Sequence, residues 1–368
     1  MTTTTFGNAT MRSVSAAPLT EAQRNWRIAG LALLATRFIQ GFVYWGGGSR
    51  RFIYAPSKLD AWGDHPWMAN KFQTAMPGAL FGFEHVISFM LQHFWLLYAG
   101  VILFSGAELI AGAALMAGLF TRAAALVSMG FSVLLMAMFG WQGATCIDEW
   151  TMAACNLAMG TTLLLGGSGA FSLDNVLLRR RPALAGKPWF QWSSGSLPLP
   201  LADIPFRNLT LALFVFVAIY NVGTYSYYRG SVVTPFHGGP VSPTKHHVTL
   251  TNGVLLPGGG VKVHAYLDAG TPEAPLHVVD AAVLGPDKAV IEHWDAKALS
   301  ALPKAAFAND YPYNKFAPGP YGIRAPMGAK ATITLPPAAN GTMPADGTTL
   351  RFTDVDGRTF IGTLHAAK

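Results

Sequence analysis

The chain has 368 residues, 51% of them hydrophobic and only 12% charged, with a net charge of +7 and a mean hydropathy of +0.32. So low a charged share excludes an ordinary soluble domain, and two cysteines exclude a disulfide framework, an iron–sulfur cluster and a four-thiolate zinc site. The surplus is no nucleic-acid footprint, because residues 1–229 hold 15 Lys+Arg against 9 Asp+Glu while residues 230–368 hold 11 against 10.

The Thr- and Ser-rich start lacks a small-residue cleavage site behind an apolar core, so the first span is expected to be retained. A helix rising 1.5 Å per residue needs about 20 apolar residues to cross the hydrocarbon. Residues 28–45 are apolar apart from Arg37 and Gln40, and residues 94–120 carry only Glu108 as a formal charge. Residues 123–141 and 150–170 carry none, and residues 209–225 form a shorter fifth run, so five spanning helices are expected. Residues 76–93 include Glu84, His85 and His93 and read as an interfacial or re-entrant helix. Residues 182–206, rich in Pro and Ser with a tryptophan pair, read as a linker.

Beyond Gly230 the texture changes to short alternating runs at 248–256, 260–267, 277–284, 329–335, 348–352 and 359–364, separated by Gly, Pro and Asp turns. Only residues 295–301 read as helical. The expected architecture is a membrane α-helical bundle, four core helices plus a fifth anchoring span, followed by an all-β sandwich-like domain. Its boundaries fall at 1–180 for the four-helix part, 181–207 for a cytoplasmic linker, 208–228 for the fifth span and 229–368 for the β domain. Arg12, Arg24, Arg27, Arg122, Arg179, Arg180, Arg181, Lys187 and Arg207 outweigh Arg50, Arg51, Lys58 and Lys71, which Asp60, Asp64 and Glu84 dilute. The N-terminus is therefore expected in the cytoplasm and the β domain outside, in a bacterial or archaeal cytoplasmic membrane.

A charged side chain at a span centre costs at least about 2.5–3.5 kcal/mol, so Arg37 and Glu108 need a reason. Counted from the expected inner ends of their spans they lie roughly 14 and 18 Å deep, which would set them side by side on antiparallel neighbours. They are either a structural ion pair or a charge site for substrate or protons. The loop from Trp141 to Trp150 holds Cys146, Asp148 and Glu149. Its carboxylates suit proton supply to a quinone, whose reduction consumes two protons, or they merely favour the dipole of the next helix. Cys146 and Cys155 are nine apart, on opposite faces of a continuous helix, and read as inert thiols, a single reactive Cys146 or a redox pair.

Three glycines, Gly46 to Gly48, precede Ser49, Arg50 and Arg51 and read as a turn whose free N–H groups and paired guanidinia admit a small oxoanion, or as a turn with solvated arginines. His85 and His93, eight apart, share a helix face suited to a quinone ring or to an interface. The histidines beyond residue 230 show no ligand spacing, so no metal is expected. No haem-attachment, dinucleotide or phosphate-loop motif is present, so neither flavin nor haem is expected.

The run from Ser105 through Glu108 and a Gly-rich stretch to Thr121-Arg122, with Ser172-Leu173-Asp174 later, resembles the DoxX/DoxD membrane family. The stretch from Phe316 to Pro336 resembles the DoxA subunit, and both together resemble the fused form of thiosulfate:quinone oxidoreductase. That resemblance implies oxidation of two thiosulfates to tetrathionate outside the membrane, with two electrons passed to a ubiquinone- or menaquinone-type acceptor. It supplies no catalytic residue. Read from the sequence, Arg37, Glu108, Cys146, Asp148 and Glu149 are the catalytic candidates, Arg50 and Arg51 the thiosulfate ligands, and Trp141, His85 and Trp45 the quinone contacts. The expected partners are thiosulfate, quinone and lipid, with homo-oligomerisation open. The rival readings are a non-catalytic accessory subunit of a redox complex and, third, an anion transporter.

Overall fold

The computed structural model describes residues 20–142, 149–229, 245–257, 259–337 and 347–366. Helical winding continues over 34 residues from Glu21 to Tyr54, as α1 (Glu21–Ala29), a 3-10 turn, α2 (Leu34–Ser49) and a π turn over Arg50–Tyr54. Thr20 and Gln23 close its start with a capping box. Two short helices follow, α3 (Met68–Ala75) and α4 (Phe83–Gln92), then α5 (Phe94–Ala117) and α6 (Thr121–Phe139). Gly118, at φ 68°, ends α5 with the left-handed residue that such a close favours. Then come α7 (Glu149–Gly166), α8 (Leu173–Arg180), α9 (Pro188–Ser193) and α10 (Asp203–Arg229).

Among the described residues four helical stretches are long and apolar enough to cross a bilayer: Glu21–Tyr54, Phe94–Ala117, Thr121–Phe139 and Asp203–Tyr228. The chain is thus a multi-pass membrane protein. The run expected at 150–170 forms the 18-residue α7, which carries Glu149 and Asn156 and packs along α6. The expected interfacial segment is α4, preceded by a 3-10 turn over Met76–Gly78.

Small residues bring α2 and α5 together. A methyl group on Gly48 would lie 2.7 Å from the Leu109 backbone nitrogen, and one on Gly41 2.7 Å from the Gly112 carbonyl oxygen. In that register Gly47 faces Glu108 and Arg37 faces Gly118. At the far end Asp174, fully buried, accepts from the Phe120 and Gly195 amides at 2.8 Å and from Thr121 at 3.2 Å. Arg122 donates to the carbonyls of Leu164, Gln191, Ser194 and Leu197. Within the expected linker, residues 191–197 are therefore tied onto the bundle.

The β domain contains β1 (His247–Leu255), β2 (Val261–Ala269), β3 (Leu276–Leu284), β4 (Val290–Trp294), β5 (Phe307–Asn309), β6 (Ala317–Gly319), β7 (Gly322–Ala325), β8 (Lys330–Leu335), β9 (Thr349–Asp354) and β10 (Thr359–Ala366). Alternate residues point inward, as in β8 and β9, so each strand gives one face to a shared core. The strands form one ten-stranded sheet in the order β5-β8-β2-β1-β10-β9-β3-β7-β6, with β4 beside β3. It nearly closes around Val263, Leu267, Val278, Ile333 and Phe352, all fully buried. The short helix α11 (Ala296–Ser300) starts on the Asp295 side chain, where a helical turn was expected.

The two parts share packing. Trp141 and Tyr228 enter the β-domain core. Gln73 of α3 donates to the Asn314 and Gly328 carbonyls at 2.8 and 2.9 Å and accepts from the Asn314 amide at 2.8 Å.

Candidate functional site

The three glycines that resemble a turn are helical, so their amides are spent on the winding of α2 and leave no anion cradle. Arg50 and Arg51 consequently sit one turn beyond Gly47, with Arg50 exposed and Arg51 half-buried. Arg51 turns back along the helix and pairs with Glu108, and it reaches Ser105 Oγ at 3.5 Å. The inner end of the first helix explains the failed pairing of Arg37 with Glu108. Setting Ile28 level with Phe120 placed Arg37 too deep, whereas the real register puts it opposite Gly118, about 15 Å along the helix from Glu108. There Arg37, 3% exposed, donates at 2.7 Å to the carbonyls of Ser168 and Phe171. Its role is to hold the 168–171 turn.

Beside the Arg51–Glu108 pair lies a cavity of about 250 Å³. Its wall is apolar: Phe72, Phe83, Ile87, Met90, Phe104, Leu134, Leu135, Met138 and Phe139. Three cations share it, namely Arg51, Lys58 and Lys71. Glu108 neutralises the first. Lys71 pairs with Glu149 at 2.7 Å and stands 5.4 Å from the centre of the Phe139 ring. Among the described residues Lys58 has no carboxylate partner. Its burial, with Arg50, Lys71 and Arg51 repelling it, pulls the ammonium below its ordinary value of 10.5. Three cations against two carboxylates leave the cavity with one surplus positive charge beside an apolar wall.

The remaining expected residues are dispersed. Trp141, 1% exposed, donates from Nε1 to the Ala75 carbonyl at 2.8 Å and packs on Gly78, which anchors α6 to α3 and takes its ring out of reach of the cavity. Trp45 lies on Phe42 with its backbone against Gly112. His85 is exposed on α4, on whose other positions Ile87 and Met90 face the cavity; His93 bonds the Phe89 carbonyl through Nδ1 at 2.7 Å. None of these three lines the cavity. Cys146 and Asp148 lie outside the described residues, and Cys155 is exposed on α7. Of the sequence candidates, then, Arg51 and Glu108 come together, and Glu149 joins them through Lys71. Lys58 and Lys71 were missed, since lone lysines in a short polar stretch carry no motif.

No solved structure matches the chain. Residues 33–199 match the family described as TQO small subunit DoxD, and residues 229–361 match TQO small subunit DoxA. The cavity and its charges lie wholly in the first matched segment, while Asn314, which grips α3, lies in the second. The Thr121-Arg122 turn and Asp174, which carried the resemblance, are the clasp at the opposite end and not part of the cavity. An oxidoreductase role thus comes with both halves: the chain belongs to the DoxD and DoxA families of TQO small subunits, joined in one polypeptide.

Proposed function

We propose that the chain oxidises thiosulfate to tetrathionate on the face bearing the β domain and reduces a membrane quinone. Two thiosulfates lose one electron each as their terminal sulfurs join, and the quinone takes both electrons with two protons. The observation that carries this reading is the apolar cavity with Arg51, Lys58 and Lys71 on one side. Two dianions repel each other strongly, and fixed cations lower that repulsion only where water is scarce. The aromatic and methionine wall suits a flat quinone ring, and Lys58 or Arg51 can donate to its carbonyl oxygens. Exposed Arg50 serves as an outer guide for the anion. Glu108 and Glu149 hold their cations in place and keep the cavity from becoming a permanent anion trap.

The test is thiosulfate-dependent reduction of a soluble quinone analogue by the purified full chain, with tetrathionate counted alongside. One tetrathionate per quinol is expected, and Lys58→Met and Lys71→Met should each raise KM for thiosulfate at least about tenfold, the loss of roughly 1.4 kcal/mol of charge-assisted binding. A folded protein with no turnover would favour the second reading, an accessory subunit, for which the close docking of Asn314 on Gln73 speaks.

A further inference from the structure

A line of buried polar side chains runs through the bundle and takes no part in the cavity's charge balance. It starts with Tyr44, which is 2% exposed and lies on α2 one turn from Gly47, the position that faces Glu108. The Tyr44 hydroxyl lies 2.8 Å from Ser132 Oγ and donates to the Ser128 carbonyl at 2.9 Å. One turn deeper, Gln40, fully buried, donates from Nε2 to Ser128 Oγ and to the Asn156 carbonyl, both at 2.9 Å. Gln40 Oε1 and Asn156 Oδ1 are both buried without a hydrogen-bond partner among the described residues. Two such acceptors, on residues that the Gln40–Asn156 hydrogen bond joins, make the kind of polar niche that ordered water fills. Three residues further along α2 stands Arg37, which lines a second cavity of about 580 Å³ that includes exposed Phe171 and Leu173. Hydroxyls, an amide and water-binding acceptors therefore lie between that cavity and Glu108, over about 15 Å of helix.

We propose that this line carries protons to the quinone from the membrane face opposite the β domain. The inference rests on the functional reading above. In that reaction the sulfur half releases two electrons and no proton, while the quinone needs two protons to become quinol. Drawing both from the opposite face makes the reaction charge-separating, since electrons enter from one side and protons from the other. The electrons arriving on the ring supply the negative charge that pulls protons along the line. In their absence the fixed charge of Arg37 at the mouth repels hydronium, so the path does not leak. Simple helix cohesion explains single serines bonded back to their own helix, as Ser132 is to the Ser128 carbonyl. It does not explain two unpaired amide oxygens at the same depth as the hydroxyls.

The experiment uses the full chain in sealed vesicles, with the β domain outside as shown by its accessibility to protease, and a pH dye trapped within. Thiosulfate is added outside and quinone is held in the lipid. The expected result is an interior that turns alkaline by two protons per quinone reduced. Tyr44→Phe with Ser132→Ala should cut that interior uptake at least about tenfold per quinone, while Ser132→Thr, which keeps a hydroxyl, restores it. Quinone reduction with no interior pH change would overturn the path and assign the protons to the outer side, where Glu149 lies. Interior uptake unchanged in the Tyr44→Phe, Ser132→Ala chain would overturn the assignment of these residues. Absence of any quinone reduction would instead remove the functional reading, and the path with it.

Discussion

Three consecutive glycines give a graded test of the site's construction. A methyl group on Gly46 meets nothing within 4 Å, and alanine there gains about 0.5–1 kcal/mol of helix propensity. On Gly47 the added methyl falls on the Glu108 carboxylate, the far end of a flexible side chain, so Glu108 must swing away and release Arg51. Overpacking of this kind costs about 1–3 kcal/mol. On Gly48 the methyl meets the Leu109 nitrogen and Cα at 2.7 and 2.8 Å, which are backbone and cannot swing, so α2 and α5 must part. The expected order of thermal stability in lipid nanodiscs is Gly46→Ala at or above the parent, Gly47→Ala below it, and Gly48→Ala lowest. Quinone reduction separates the second case further: Gly47→Ala should lose more turnover than its stability loss explains, because the ion pair at the cavity is broken. Shortening the carboxylate by Glu108→Asp in the Gly47→Ala background should return part of it, a positive coupling between the two sites. Equal behaviour of Gly46→Ala and Gly47→Ala, or a Gly47→Ala chain less stable than Gly48→Ala, would refute this packing.

Lys58 sets a pH dependence. Anion binding needs its charged form, so KM for thiosulfate should stay low at neutral pH and climb as pH rises through the lowered value, below 10.5, and Lys58→Met should flatten that limb in a KM–pH series. The same charge burdens the folded state, and that burden lifts as pH rises between the lowered value and 10.5. Gln73→Ala should cost about 1–3 kcal/mol by leaving the Asn314 amide and two carbonyls without partners, and amide exchange over residues 311–316 should quicken. Arg37→Lys should destabilise almost as much as Arg37→Met, because one ammonium cannot reach both the Ser168 and Phe171 carbonyls; full recovery by lysine in a melting curve would contradict the forked contact.

The strands that alternate over six or more residues, β1, β2, β3, β8, β9 and β10, were legible because each presents a period-two pattern bounded by turn residues. Strands β5, β6 and β7 were not, since three or four residues carry no period and β6 contains Pro318. Long apolar runs revealed the spans, but their ends stayed hidden. Glycine reads as a breaker in isolation, whereas here it is what lets two helices touch, and so α2 appeared to stop nine residues before Tyr54. The wrong partner for Glu108 came from the other end, where Ile28 was set level with Phe120 although Arg37 is the residue that faces Gly118. Lys58 and Lys71 became visible only through the fold, because the cavity draws on the π turn after α2 and on α3, α4, α5 and α6 together. Asp174 and Arg122 looked like motif residues and proved to be fasteners, which bind backbone carbonyls and amides and need no substrate.

The clasp has an architectural consequence. Arg122 secures the chain as far as Leu197, and α10 begins at Asp203, fixed on its own account by Tyr220 to the Val133 carbonyl at 2.8 Å and by Tyr228 to those of Gly78 and Ala137 at 3.2 and 3.1 Å. Residues 198–202 thus form a seam between two pieces that are each fastened independently. Cutting the polypeptide there would sever one covalent thread and spare the docking contacts, so one gene or two could encode the same assembly.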